Sequence, residues 1–156
     1  VRTLPALAAL ILCLSCGGAP SLQRAADAQR RIQDWLLCEE CTDGELESVV
    51  ALGAGVVPSL AATLRGGLSP ASRALLEQQL AQTWDAGAPL RLSRAEFVAH
   101  HVGNRDALLR ARSARALGRI RTPEALAALR EALLLRQRPS VEASIRAALA
   151  EPSPAD

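Results

Sequence analysis

The chain has no lysine, no methionine and no tyrosine, and its only aromatic side chains are Trp35, Trp84 and Phe97, about 2% of 156 residues. All 18 basic residues are therefore arginine. With so few rings and no methionine, any core has to be built from leucine, valine, isoleucine and alanine. Runs rich in β-branched and aromatic residues are nearly absent, which argues against strands. A net charge of +2 is too small to point to nucleic acid. No serine lies in a nucleophile elbow, no glycine-rich phosphate loop is present, and no carboxylate pair stands out as general acid and base. Glu39, Glu40 and the other carboxylates read as turn or solvent-facing groups. The expectation is a protein without catalytic residues, cofactor or metal.

What is present begins at the amino terminus. Arg2 is followed by the uncharged run Leu4–Leu14, eleven residues long. That is too short to span a bilayer, which takes about 20 residues, but it suits the apolar segment of an export signal. Ser15, a small residue, precedes Cys16, and Gly17, Gly18, Ala19 and Pro20 form a helix-poor stretch suited to a tether. The string Leu12-Cys13-Leu14-Ser15-Cys16-Gly17 resembles a bacterial lipoprotein signal. The resemblance implies cleavage between Ser15 and Cys16, diacylglycerol on the Cys16 sulfur and acylation of the new amino terminus. Gly17 then favours the outer membrane, on its periplasmic side. Several buried acyl chains, at roughly 0.8 kcal/mol per methylene, make a firm anchor. A plain secretory signal and a buried amino-terminal core helix are the competing readings. The expected organisation is a signal over 1–15, a lipid-anchored tether over 16–23, one helical domain over 24–151 and a disordered tail over 152–156. About 140 residues remain after processing, enough for one small domain.

The apolar spacing of that domain is helical throughout, and alanine and leucine are strong helix formers. A first helix is expected from about Leu22 to Leu37. Thr42 and Glu45 form a capping box for a second, with Leu46, Val49, Val50 and Gly53 on one face. Pro58 opens a third helix, with Leu60, Ala61 and Leu64 inward, and Gly66-Gly67 stops it. Ser69-Pro70 starts a fourth, carrying Leu76, Leu80 and Trp84. After a loop, Ser93 and Glu96 form a second capping box. Val98, Val102, Leu109, Ala116 and Ile120 keep one helical phase across Gly103, which favours a single long helix from about Arg94 to Arg119. Thr122-Pro123 caps the next, with Leu126, Leu129 and Leu133 inward. Ser140 is expected to cap the last, which carries Val141, Ile145, Ala148 and Leu149 and ends at Glu151-Pro152.

The chain also repeats itself. Leu109–Leu117 aligns with Val141–Leu149 at a period of 32 residues. Val57, Leu60 and Leu64 align with Leu126, Leu129 and Leu133, and Ala51-Leu52-Gly53 matches Ala116-Leu117-Gly118. The stretch from Leu109 through Gly118, Thr122-Pro123-Glu124-Ala125 and Leu133 resembles the HEAT-like repeats of phycobilin lyases. Val57-Pro58-Ser59-Leu60 resembles the second helix of that repeat. The resemblance implies an all-α fold, a short α-α solenoid of helical hairpins that bury their apolar faces against neighbours. A compact helical bundle is the competing architecture.

Three groups of side chains are candidates for chemistry. Cys38 and Cys41 suit a disulfide closing the turn between the first two helices, which is the default outside the cytoplasm. Free thiols, metal binding and redox exchange are the alternatives. His100 and His101 are adjacent, and neighbours on a helix point about 100° apart, a poor geometry for sharing a metal. His101 falls on the apolar stripe and is expected to be partly buried, with His100 facing solvent. Arg105, Arg112, Arg115 and Arg119 recur at helical spacing, with Arg110 and Arg121 beside them and few carboxylates within a turn. This row reads either as a solvated face or as a surface for an anionic partner. The function expected is a membrane-tethered module that binds an envelope protein. The alternatives are a redox or metal-handling role through Cys38 and Cys41, and a chromophore-lyase-like helper as the repeat resemblance implies.

Overall fold

The computed structural model describes residues 19–38, 40–87 and 91–152. Ser15, Cys16 and the expected signal over 1–15 lie outside these residues. Among the described residues the chain forms seven α-helices and no strand. They are α1 (Ala19–Leu37), α2 (Asp43–Val50), α3 (Val57–Gly66), α4 (Pro70–Asp85), α5 (Arg94–Ile120), α6 (Pro123–Leu133) and α7 (Pro139–Ala150), with a 3-10 turn at Gly53–Val56 leading into α3.

The helix ends follow from local chemistry. Thr42 precedes α2, and its backbone N–H donates to the Glu45 carboxylate at 2.7 Å. The Ser93 N–H donates to Glu96 at 2.8 Å, while the Ser93 hydroxyl accepts from the Glu96 N–H at 3.3 Å. Both boxes thus satisfy donors that a helix start leaves without partners. Ser69 and Thr122 cap α4 and α6 through the Ser72 and Ala125 N–H groups. Two expected starts are displaced. Helix α1 begins at Ala19, inside the stretch 16–23 expected to be a tether. Pro20 then falls in the first turn, where its missing N–H costs no hydrogen bond. Helix α7 begins at Pro139 with Arg138 as its cap, so Ser140 lies inside the helix and does not cap it. A proline at the first position pre-sets the helical φ one residue earlier than the serine would.

Helix α5 is the spine. It runs unbroken through Gly103 for 27 residues and touches every other helix. Helix α2 and the segment Gly53–Gly66 that carries α3 meet at about 100°, α5 and α6 pack together across the Thr122-Pro123 corner, and α7 returns against both. Helices α2, α5 and α7 make one layer, α3 and α6 the other, because α5 contacts both α2 and α7 while α3 contacts α6. This is a short α-α solenoid. The sequence period of 32 residues relates the second half of α5 to α7, two packed members of one layer. Leu109 and Val141 are both buried at these equivalent places, as are Ala116 and Ala148. Leu60 and Leu129 are equivalent in the other layer and have no exposed surface.

Small residues let the layers close. A Cβ on Gly118 would lie 2.6 Å from the Ala148 Cβ, well inside van der Waals contact. Helices α5 and α7 therefore meet backbone to side chain at this point. The dispersion attraction of so close an approach offsets the cost of a glycine in mid-helix. Helix α4 departs from the pattern. It interrupts the succession of hairpins and has no fully buried residue; Leu76, Leu80 and Trp84 are only half-buried. Its end is held by a small aromatic cluster, with Trp84 and Phe97 ring centres 5.6 Å apart. Leu126 and Leu133, expected inward in α6, are likewise half-buried; Ala125, Ala128, Leu129 and Ala132 form the buried face.

Candidate functional site

The arginine row of α5 does not stand free. Arg112 donates to the carbonyl oxygens of Leu36 at 2.8 Å, Cys38 at 2.7 Å and Trp35 at 3.3 Å. Arg105 donates to the Leu37 carbonyl at 2.8 Å. The Trp35, Leu36 and Leu37 oxygens belong to the last turn of α1, whose carbonyls lack intrahelical donors and carry the negative end of the helix dipole, and Cys38 is the residue that follows it. Two guanidinium groups from a second helix therefore cap α1. Arg110 does the same for α3, donating to the Arg65 carbonyl at 2.7 Å. Arg121, in the left-handed conformation that ends α5, reaches the Glu151 carbonyl at the end of α7. Burial, and then the nearby Arg105 charge, lower the Arg112 pKa from its ordinary value. A guanidinium nevertheless remains protonated in a protein, so the clamp is permanent.

Arg115 and Arg119, which have no carboxylate within a turn in the sequence, find theirs on α2. Arg115 pairs with Asp43 at 2.9 Å and Arg119 with Glu47 at 2.6 Å. The row has few carboxylates within a turn in sequence, and the fold supplies two from α2. Both pairs are exposed and contribute little to stability; Arg115 keeps 57% of its side-chain surface.

Between α5 and α7 the same face opens into a groove of about 410 Å³. Leu108, Ala111, Ala147 and Ala148 give it an apolar lining, and the two arginines Arg112 and Arg115 stand in it with Ser144 and the single carboxylate of Glu151. Leu108 remains 39% exposed. Two of the four arginines singled out in the sequence therefore border a groove, while Arg105 and Arg119 lie further along the helix.

Cys38 and Cys41 are joined, with Cα atoms 5.7 Å apart, and close the connection between α1 and the α2 cap. A Glu45 carboxylate oxygen lies within 4.8 Å of both sulfurs. The Arg112 bond to the Cys38 carbonyl ties this corner to α5. His101 is exposed, not partly buried as its place on the stripe suggested. It lies against Phe97, ring centres 4.3 Å apart, because the aromatic cluster sits at the rim where α4 covers α5 only partly. His100 faces solvent and bonds Asn104 at 2.9 Å.

The hairpin of α5 and α6 is the best-defined repeat unit. Residues 109–134 match the PBS lyase HEAT-like repeat. The match covers the second half of α5, the Thr122-Pro123 corner and α6, the part of the chain where the sequence resemblance is densest. No curated protein and no solved structure matches the chain. Among the described residues no single helix is long and apolar enough to cross a membrane.

One cluster escaped the sequence reading. Asp106 accepts from the Leu68 N–H at 2.9 Å, from Arg73 at 3.2 Å and from Arg110 at 2.7 Å, joining the α3–α4 corner, α4 and α5. Only the Asp106–Arg110 pair, one helical turn apart, is visible as a local signal.

Proposed function

We propose that the chain is an exported module, anchored by lipid on Cys16 at the cell envelope, whose HEAT-like stack docks an acidic, apolar segment of another protein without catalysing a reaction. The groove between α5 and α7 carries this reading. It pairs an apolar floor with two arginines, and a helical-repeat stack presents such a surface without need of catalytic groups. Arg115 meets a partner by exchanging Asp43 for a partner carboxylate, a swap that costs little because the existing pair is solvent-exposed. Arg112 contributes charge while staying fixed to α1. The envelope address rests on the pattern from Arg2 to Gly17.

A photocrosslinking residue placed at position 108 in living cells tests the docking. One defined envelope protein is expected, lost with Arg115→Glu and Ala147→Glu and kept with Arg31→Glu, which does not line the groove. A captured set indifferent to the groove substitutions, or no capture, would overturn the docking. Mass spectrometry of the amino-terminal peptide tests the anchor: acylated Cys16 is expected, and an unprocessed chain in the cytosol contradicts it.

A further inference from the structure

On the opposite flank of α5, a cleft of about 180 Å³ lies between α4, α5 and the α6–α7 corner. Arg73, Arg110, Arg136 and Arg138 line it, against the single carboxylate of Asp106. That carboxylate is already engaged by Arg73, Arg110 and the Leu68 N–H, so it has little capacity left to neutralise the cleft. Arg136 has no carboxylate partner among the described residues, and Arg138 bonds only the neutral Asn104 side chain, at 3.1 Å. Four guanidinium groups facing one saturated carboxylate leave a concentrated positive charge in a concave site.

The Arg138 guanidinium lies against the backbone of α5 at Gly103. A Cβ on Gly103 would lie 3.0 Å from the Arg138 Cζ. Glycine in mid-helix is unfavourable, and here its bare backbone gives the guanidinium a seat against α5. Gln137 shapes the corner further, donating to the Ala132 carbonyl at 3.3 Å. Arginine forks present paired donors that match the oxygens of a phosphate group, and a dianion answers excess charge better than a monoanion.

We propose that this cleft binds a phosphate monoester group, carried by a small metabolite or by a lipid headgroup. Arg136 and Arg138 supply the unneutralised charge, Arg73 shares its own between Asp106 and the ligand, and Arg110 with Asp106 fixes the floor. The site is separate from the docking groove and does not depend on it.

Titration calorimetry of the folded chain with inorganic phosphate, alongside flotation with phosphatidylcholine vesicles with and without phosphatidic acid, tests the proposal. Saturable phosphate binding that falls by roughly tenfold or more in the Arg136→Glu/Arg138→Glu variant is expected, since a charge-assisted hydrogen bond is among the strongest of its kind. The charge-matched variant Arg31→Glu/Arg130→Glu, altered elsewhere on the surface, should bind as the parent does. Gly103→Ala should weaken phosphate binding while its melting temperature holds or rises, which separates the site from the fold. Binding of phosphate in solution assigns a soluble ligand; binding only to phosphatidic acid vesicles, lost in the same cleft variant, assigns the headgroup. No binding in either arm, or equal loss in the two charge-matched variants, would overturn the site.

Discussion

At the scale of single residues, the chain uses small side chains for close packing and arginine for capping. Gly118 is the sharpest case. Alanine is the better helix former by about 1 kcal/mol, yet a methyl group here meets Ala148 at 2.6 Å. Gly118→Ala should therefore destabilise the protein, by roughly 1–3 kcal/mol of overpacking, measured by chemical unfolding; a gain in stability would contradict the close approach of α5 and α7. Ser113 makes the opposite case. It is completely buried in α5 and its hydroxyl has no partner. A buried hydroxyl without a bond costs about 1–3 kcal/mol, so Ser113→Ala should leave stability unchanged or raise it. A loss of more than about 1 kcal/mol would mean that the hydroxyl is satisfied after all. Neither outcome is legible in the sequence. Gly118 shows only a match with Gly53, and Ser113 shows no sign of being buried.

Elements were more legible than contacts. The phase kept by Val98, Val102, Leu109 and Ala116 across Gly103 anticipates one long helix, because a break would have shifted the stripe. The two capping boxes are local by nature, with partners three residues apart, and both are formed. Ser140 misled because Pro139, one residue earlier, fixes the helical φ first. The partners of the arginines lay beyond reach for another reason: Arg105, Arg112 and Arg115 find theirs 68 to 77 residues away. Spacing along a helix shows which side chains share a face, not which helix end comes to meet them. The same applies to the phosphate cleft, assembled from residues 73, 106, 110, 136 and 138. A further expectation belongs to the start of α5. The Glu96 carboxyl accepts from the Ser93 hydroxyl and backbone N–H, and these bonds, the hydroxyl's first, lower its pKa from the ordinary value. Its folded pKa lies below its unfolded one, so the stabilisation is complete above the unfolded value and is lost as pH falls through the folded value. Carboxyl-carbon NMR should place the Glu96 midpoint below that of a free glutamate; a midpoint at or above it would contradict the box.

At the scale of the whole molecule, the hairpins are stitched to a single spine. Repeat stacks tend towards nearest-neighbour coupling, in which one unit unfolds without the next. Here α5 reaches the carboxyl ends of α1, α3 and α7 through Arg105, Arg110, Arg112 and Arg121. These bonds tie non-consecutive helices together and should make unfolding cooperative across the described domain. The docking groove and the phosphate cleft are then two separate openings beside a common scaffold, one on each flank of α5. The most direct test is urea unfolding of the parent chain and of Arg112→Ala, followed both by helical circular dichroism and by tryptophan fluorescence, which reports on Trp35 in α1 and Trp84 in α4. The parent should show coincident transitions, and Arg112→Ala, which strips three carbonyls at the end of α1 of their donor, should lose roughly 1–3 kcal/mol. Separate transitions in the parent, or an Arg112→Ala midpoint equal to the parent's, would contradict the inward role of the arginine row.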